Sequence, residues 1–548
     1  MINRWGIRDF VVALALFAAT AGTVVWQNAH VTVLWDLSYV LDSSYRITLG
    51  QLPYHDFPFA HAPLTFLIQA AIIKLTGRVF WHHIVYCAVI GGLGTLVAWR
   101  IALRILGEKV WATSVLLAMP LAFLGVYGIF PHPNYDCDSA FAILVAIWLL
   151  QRATRGPLWS FAVGIAIVLP LFFKQNIGLP FLVVTLCGIF AVAVLRRDKS
   201  LIPAIVGAAS ALSTAALLLH ATVGIDNYIQ WTIRFPAQRR IPSLGAMIDI
   251  YRDPTLLWMI ASVAIGLALL HPRLMRARSL GICLLLAPFL WPLAALFQTN
   301  DADDRASSLL ALWPLTLILA AVISVYKLRK GLDLQYLIPI FLLAAIHGAF
   351  LSQQLWGSTY ANWPLLILLI AGNIAAARLE TKWMASTFAG VIATVLLVAG
   401  GFYITSEDRL SYAAVTEGTL SHSTHPELAG MSVRGPYLPH FEELLTFASK
   451  NIPQSDGLIL VNGEDPFYYT TGRTPQFPIL LFDPTTQPYS PSQLRELVQA
   501  RNIRWLVVKR ELQIKEDPTP DRAATLAALV QDFAINQRLA GYDVYRRR

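Results

Sequence analysis

Thirteen apolar stretches divide the first 404 residues, near 10–28, 80–104, 111–130, 137–151, 157–173, 177–195, 201–222, 254–271, 279–297, 307–326, 333–351, 360–378 and 384–404. A bilayer crossing needs roughly 17–25 mostly apolar residues. In lipid, only a helix or a closed barrel satisfies every backbone polar group. These stretches therefore predict a polytopic α-helical membrane protein with about thirteen transmembrane helices. A further run, 64–77 (LTFLIQAAIIKLTG), is short for a crossing and reads as an interfacial or re-entrant helix. The chain is 56% hydrophobic and 14% charged, where a soluble domain carries about 25% charged residues, so a single membrane anchor does not account for it.

The net charge of +9 raises the question of nucleic acid. Placement of the cations excludes that class, because Lys and Arg fall mostly in short connections between apolar runs, as orientation signals and headgroup contacts do. With the N-terminus inside, Arg4 and Arg8 are cytoplasmic, and so is every second connection: Arg100, Arg104 and Lys109; Arg152 and Arg155; Arg196, Arg197 and Lys199; Arg273, Arg276 and Arg278; Lys327, Arg329 and Lys330; Arg378 and Lys382. Counting 64–77 as a crossing would invert everything after it and break the positive-inside rule. The expected location is the inner, cytoplasmic membrane, with the first span uncleaved.

After residue 404 the composition turns polar and Pro- and Gly-punctuated. The runs 457–462, 478–483 and 503–508 read as buried strands. Between the last two, Ser490 reads as the N-cap and Pro491 as the first residue of a helix. Residues 405–548 are therefore expected to form an α/β domain, extracytoplasmic by parity, following a transmembrane domain of 1–404 that carries a loop and surface helices at 29–78.

Polar chemistry gathers in the connections assigned to the outside. The first, VLWDLSYVLDSSYRITLGQLPYHDFPFAHAPL (33–64), contains three aspartates and two histidines. Its first half reads as an amphipathic surface helix on which Asp36, Tyr39, Ser43 and Arg46 share a face. Asp42, four residues before Arg46, reads as its ion-pair partner. Asp36 stands where the first span gives way to the surface helix, either as a helix cap or as a carboxylate at the mouth of a membrane cavity. His55, Asp56 and His61 follow in a turn-rich segment, but the spacing of two His and one Asp does not define a metal site. Further along, NYDCDSAF (134–141) holds Asp136 and Asp138, of which Asp138 fits better as the acid entering the helix. FFKQNIGLP (172–180) holds Lys174 and Gln175; Arg234, Arg305 and Tyr360 complete the set. Outside cations run against the charge bias, and an anionic lipid phosphate would account for them.

The succession Asp36-Leu37-Ser38-Tyr39, Pro53-Tyr54-His55-Asp56 and His61-Ala62-Pro63-Leu64 resembles the C-type glycosyltransferase superfamily, in particular bacterial relatives of the protein O-mannosyltransferases and of lipid A aminoarabinose transferase. NGEDPFYYTTGR (462–473) and the expected architecture resemble it too. The chain departs at Leu37, where the family has a Glu, and at Ala62, where it has a Pro. The resemblance implies an integral membrane glycosyltransferase. It would move a sugar from a polyprenyl-phosphate donor to a lipid, glycan or protein acceptor on the outer face, with inversion. It implies Asp36 as the catalytic base and a substrate-binding set of Tyr39, Tyr54, Asp56, His61, Asp138, Lys174, Gln175, Arg234, Arg305 and Tyr360. The residues name no cofactor. A divalent cation would suit the neighbouring alternative, an oligosaccharide ligase or polymerase using diphosphate-linked lipids, whose leaving group carries more charge. The alternative of another class, a lipid or sugar transporter, would place its ionisable residues at mid-membrane, often in paired halves.

Overall fold

The helices α1 (Ile7–Asn28), α2 (Leu34–Thr48), α3 (Leu64–Thr76) and α4 (Phe80–Leu106) open the chain in a computed structural model. It describes residues 5–239, 247–271, 276–298, 309–359, 361–377, 382–405, 418–483, 486–513 and 520–548. Eight of the described helices are long and apolar enough to cross a membrane. Among the remaining expected crossings, Pro157–Phe173, Thr255–Leu269, Leu312–Leu328 and Trp363–Ala376 are apolar helices of only 14 to 17 residues. At about 1.5 Å per residue they span about 21–26 Å, against a core about 30 Å thick. The expected segment 111–130 is broken into Trp111–Ala118 and Leu121–Leu124. Pro120 lacks an N–H and its ring clashes with the preceding turn, so a helix through this point is interrupted. At 13 residues, α3 is shorter still.

Close helix contacts rest on small residues. A Cβ at Gly164 would strike the backbone of Ala204, and one at Gly207 the backbone of Phe161. The helices Pro157–Phe173 and Ile202–Thr222 can therefore approach to backbone contact, as small residues allow in membrane proteins.

The C-terminal region contains a short antiparallel pair, β1 (Leu420–His422) with β2 (Ser432–Arg434). It also contains a four-stranded sheet of β3 (Gly457–Val461), β4 (Ile503–Lys509), β5 (Phe533–Arg538) and β6 (Tyr542–Arg547), in the order β3-β4-β6-β5. β3 and β4 are parallel and the other pairs antiparallel. Parallel neighbours need a crossover, and it runs through the helix Pro491–Ala500, whose N-cap Ser490 and Gln493 form a reciprocal capping box. The expected strand at 478–483 is absent. The carbonyls of Phe477 and Pro478, at its start, accept hydrogen bonds from the Arg46 guanidinium at 3.1 and 2.9 Å.

That contact shows what α2 does. It is not a helix lying on a surface, because all residues from Leu37 to Arg46 are buried. Its start is fixed by Gln513, whose Oε1 accepts from the Leu34 N–H at 2.7 Å while its Nε2 donates to the Thr32 carbonyl at 2.8 Å. His132 accepts from the Val33 N–H at 3.1 Å with Nε2, and its Nδ1 lies 2.8 Å from Asn28 Oδ1. The free N–H groups of a helix start thus find partners from distant segments. One turn on, Ser38 donates to the Glu464 carbonyl at 2.6 Å. Leu37 is fully buried in an apolar cluster with Leu438, Phe441 and Phe467 of the C-terminal region, so the acid that the resemblance leads one to expect here would stand uncompensated in that cluster.

Asp42 does not pair with Arg46. Its carboxylate accepts the backbone N–H groups of Tyr469 at 2.7 Å and Tyr468 at 3.4 Å, at the start of the helix Phe467–Thr471. Burial pushes the Asp42 carboxyl from the ordinary 3.8 up to about 8, against the two N–H groups that favour its charge. The folded chain thus keeps a proton where the unfolded chain has lost it. The contribution to stability is present in acid and is lost as pH rises from about 4 to about 8. The thermal midpoint of detergent-solubilised protein should therefore fall between pH 5 and pH 8 by more in the wild type than in Asp42→Asn. Parallel profiles for the two proteins would refute this account of Asp42.

Candidate functional site

Three segments far apart in the chain meet at the end of the helical region that bears α2: the turn after α2, the start of the helix Tyr135–Leu150, and the start of the helix Gln175–Leu195. Aromatic packing brings them together. The His61 ring lies on Tyr135 with centroids 4.5 Å apart and planes at 23°. Tyr39 stacks on Phe59 at 5.8 Å and meets His61 edge-on at 5.4 Å. Tyr54, at a positive φ of 69°, donates its hydroxyl to the His61 carbonyl at 2.7 Å and packs edge-on against Tyr228 at 5.1 Å. Offset and edge-to-face pairs of this kind add about 0.5–1.5 kcal/mol each beyond burial, which suits a fixed wall more than a mobile loop.

Lys174 lies against this wall. Its ammonium is 4.1 Å from the centroid of the Tyr135 ring and 3.1 Å from Asp136 Oδ2, and both charged side chains are nearly buried. Next to it, Gln175 donates from Nε2 to the carbonyls of Ala60 at 3.0 Å and Thr232 at 3.2 Å. Thr232 belongs to a π-helical turn, Gln230–Arg234, a local widening that often marks functional segments. Arg234 ends that turn with its side chain exposed. Two buried polar atoms at the site have no hydrogen-bond partner among the described residues: the Tyr39 hydroxyl and Gln175 Oε1. Each such atom costs about 1–3 kcal/mol relative to a satisfied one.

Asp36 lies in the first turn of α2, one turn before Tyr39, and is half-buried. It is not the helix cap, a position held by Val33.

The two acids after Asn134 stand in different surroundings. Asp138 is enclosed, 2% exposed, and accepts three hydroxyl hydrogen bonds at 2.7 Å, from Thr65 of α3, Tyr86 of α4 and Tyr127. It ties α3, α4 and its own helix together. Asp136, the partner of Lys174, is the acid on the wall. Asp138→Ala leaves those hydroxyls without their common acceptor and is expected to cost roughly 3 kcal/mol. Its readout is a fall of the thermal midpoint in detergent by several degrees, and an unchanged midpoint would show that the enclosed carboxylate is not structural.

Asp56 lies apart from the wall. It is exposed and pinned within its own turn, accepting the Leu52 N–H at 2.6 Å, with His55 Nδ1 at 2.8 Å. The Leu52 N–H, ahead of His55, holds its carboxyl below the usual range. With His61 on Tyr135 and His55 on Asp56, the three do not converge on a metal, and the described residues contain no other group of three or more His, Cys, Asp or Glu able to hold one. Arg305 and Tyr360 lie outside the described residues. Tyr135, which lies between His61 and Lys174, escaped the sequence reading. The available signal was its place beside two acids in PHPNYDCD, where an aromatic residue at a helix start invites no special notice.

No protein-family model matches the chain, and no curated protein matches it by sequence. Solved structures do match. The Archaeoglobus fulgidus oligosaccharyltransferase in its apo form aligns over 93% of this chain and 70% of its own, with 13% identity and a TM-score of 0.51. The same protein tethered to an acceptor peptide containing the NVT sequon aligns over 91% and 69%, with 13% identity and a TM-score of 0.50. ArnT from Cupriavidus metallidurans, bound to undecaprenyl phosphate, aligns over 100% of this chain and 98% of its own, with 13% identity and a TM-score of 0.46. At this identity the likeness is one of fold.

Proposed function

We propose that this chain, which has the fold of the C-type glycosyltransferases, transfers a sugar from a polyprenyl-phosphate donor to an acceptor hydroxyl or amide at the outer face of the cytoplasmic membrane, with inversion. The observation that carries the proposal is the wall itself. A nearly buried Lys174 is set beside stacked aromatic rings and two buried polar atoms that lack partners. Aromatic faces and fixed hydrogen-bonding groups are the surfaces that hold a sugar, and a lysine beside them suits a phosphate.

The chemistry follows from these parts. The acceptor atom attacks the anomeric carbon as the bond from that carbon to the phosphate oxygen breaks. Asp36 takes the acceptor's proton, and a positioned base of this kind supplies about 10²–10⁴-fold. The phosphate leaves with the bonding electron pair, and Lys174 stabilises the charge that develops on it. In the ligand-free arrangement Asp136 neutralises Lys174, so the donor phosphate has to displace that carboxylate or share the ammonium with it. Tyr39 and Gln175 supply a donor and an acceptor to the sugar's hydroxyls.

Proteoliposomes containing the full chain, offered a panel of undecaprenyl-phosphate sugars and an extract of cell-envelope acceptors, should release undecaprenyl phosphate from one member of the panel. Release only from diphosphate-linked donors would replace this reading with the ligase reading. Uptake of the lipid or sugar with no bond broken would replace it with the transporter.

A further inference from the structure

A polar cavity of about 620 Å3 opens where the end of α2 and the turn after it meet the C-terminal region. Arg46, Gln51, His55, Asp56, Arg501 and Asn502 contribute to its lining. A cavity of this size accommodates a monosaccharide or a lipid headgroup. None of the residues assigned above to the transfer step lines it.

Arg46 is the informative member. It is 2% exposed, and no carboxylate lies within 4.0 Å of its guanidinium among the described residues. Its hydrogen bonds go to the carbonyls of Phe477 and Pro478 and to Gln51 Oε1, and the Phe57 ring lies 4.2 Å beneath it. These contacts hold the group in place, and the acids Asp42 and Asp56 act on it only from beyond ion-pair distance. Buried charges are ordinarily paired. The other guanidinium lining the cavity, Arg501, is exposed at the end of the helix Pro491–Ala500, with no carboxylate partner among the described residues. Burial pushes the Arg46 guanidinium down to about 10; the Arg501 charge pushes the same way, while Tyr468, Tyr39 and Asp56 push against it. Asp56, the acid in the lining, is already engaged by the Leu52 N–H and by His55. The cavity therefore brings together two cations and one occupied carboxylate.

We propose that this cavity is an anion-binding subsite that receives a phosphate or carboxylate group on a sugar or lipid headgroup, with Arg46 as the fixed cation and Arg501 as the one that closes over it. A guanidinium has five N–H donors; Nε of Arg46 is taken by Gln51 and each terminal nitrogen donates one N–H to a carbonyl, which leaves one N–H on each terminal nitrogen for an oxyanion. This subsite stands on its own geometry and holds whether or not the transfer reading is right.

The test uses the full chain in detergent and in nanodiscs. Inorganic phosphate and D-glucuronate are titrated into detergent-solubilised protein while the thermal midpoint is followed. Nanodiscs of phosphatidylglycerol are compared with nanodiscs of phosphatidylcholine. Arg501→Gln is the main variant, because its side chain is exposed and its loss spares the packing around Arg46. Arg495→Gln, on the same helix and paired with Asp532 at 2.8 Å, is the control for removing one positive charge. The expected result is a rise in midpoint with anion that Arg501→Gln weakens by about tenfold in ligand concentration, the scale of one lost charge-assisted hydrogen bond, and that Arg495→Gln retains. A rise with the free anions identifies a sugar-borne or soluble group. A rise confined to phosphatidylglycerol nanodiscs, and likewise lost in Arg501→Gln, identifies a lipid headgroup. Equal responses in wild type and Arg501→Gln, or no response to any anion, would overturn the proposal.

Discussion

Asp36→Asn should reduce sugar transfer by about 10²–10⁴-fold while leaving the thermal midpoint and chromatographic behaviour of the protein unchanged. Both halves of that result matter. Asparagine has nearly the same shape and keeps an acceptor oxygen at the helix start, but it cannot take a proton from the acceptor. Asp36 is half-buried in the first turn of α2, and the N–H groups of Leu34 and Val33 are met by Gln513 and His132. Loss of activity together with loss of folding would assign the residue to architecture. Full activity in a folded variant would remove it as the base and turn attention to Asp136.

The second large effect is expected at Lys174. Lys174→Gln removes the cation beside Tyr135 and should lower the rate of transfer by about 10²–10³-fold, the range seen when one group that stabilises a developing negative charge is deleted. Undecaprenyl phosphate should also bind more weakly to this variant. Because Asp136 lies 3.1 Å from the ammonium, part of any loss comes from leaving that carboxylate buried without its partner. The double variant Asp136→Asn, Lys174→Gln separates the contributions. It should regain thermal stability relative to Lys174→Gln and remain inactive. A double variant that regained activity would show that the lysine serves only to neutralise Asp136.

The legible part of this molecule was what hydrophobicity and short motifs encode. Run length located the helices, eight of them long and apolar enough to cross a membrane, while the break at Pro120 carried no length signal. The motifs around Tyr39, His61, Lys174 and Gln175 do converge on one wall, although nothing in their spacing along the chain says so. The illegible part was long-range pairing of polar groups. Four-residue spacing suggested that Asp42 pairs with Arg46. Instead both reach segments more than 400 residues away, and a rule for neighbours on an exposed helix does not apply to a buried one. The choice between Asp136 and Asp138 turned on which carboxylate meets three hydroxyls from other elements. Helical spacing places both acids in one turn and cannot rank them. Leu37 departs from the family pattern at a position that packs against the C-terminal region, so its partner was visible only once that region was in place.

The most direct test of the central claim is a cryo-electron microscopy map of the full chain with undecaprenyl phosphate. The account predicts the phosphate in hydrogen-bond contact with Lys174 Nζ, beside Tyr135, with the Asp36 carboxylate facing the space where a sugar on that phosphate would sit. A phosphate found only between Arg46 and Arg501, or anywhere away from Lys174, would contradict it.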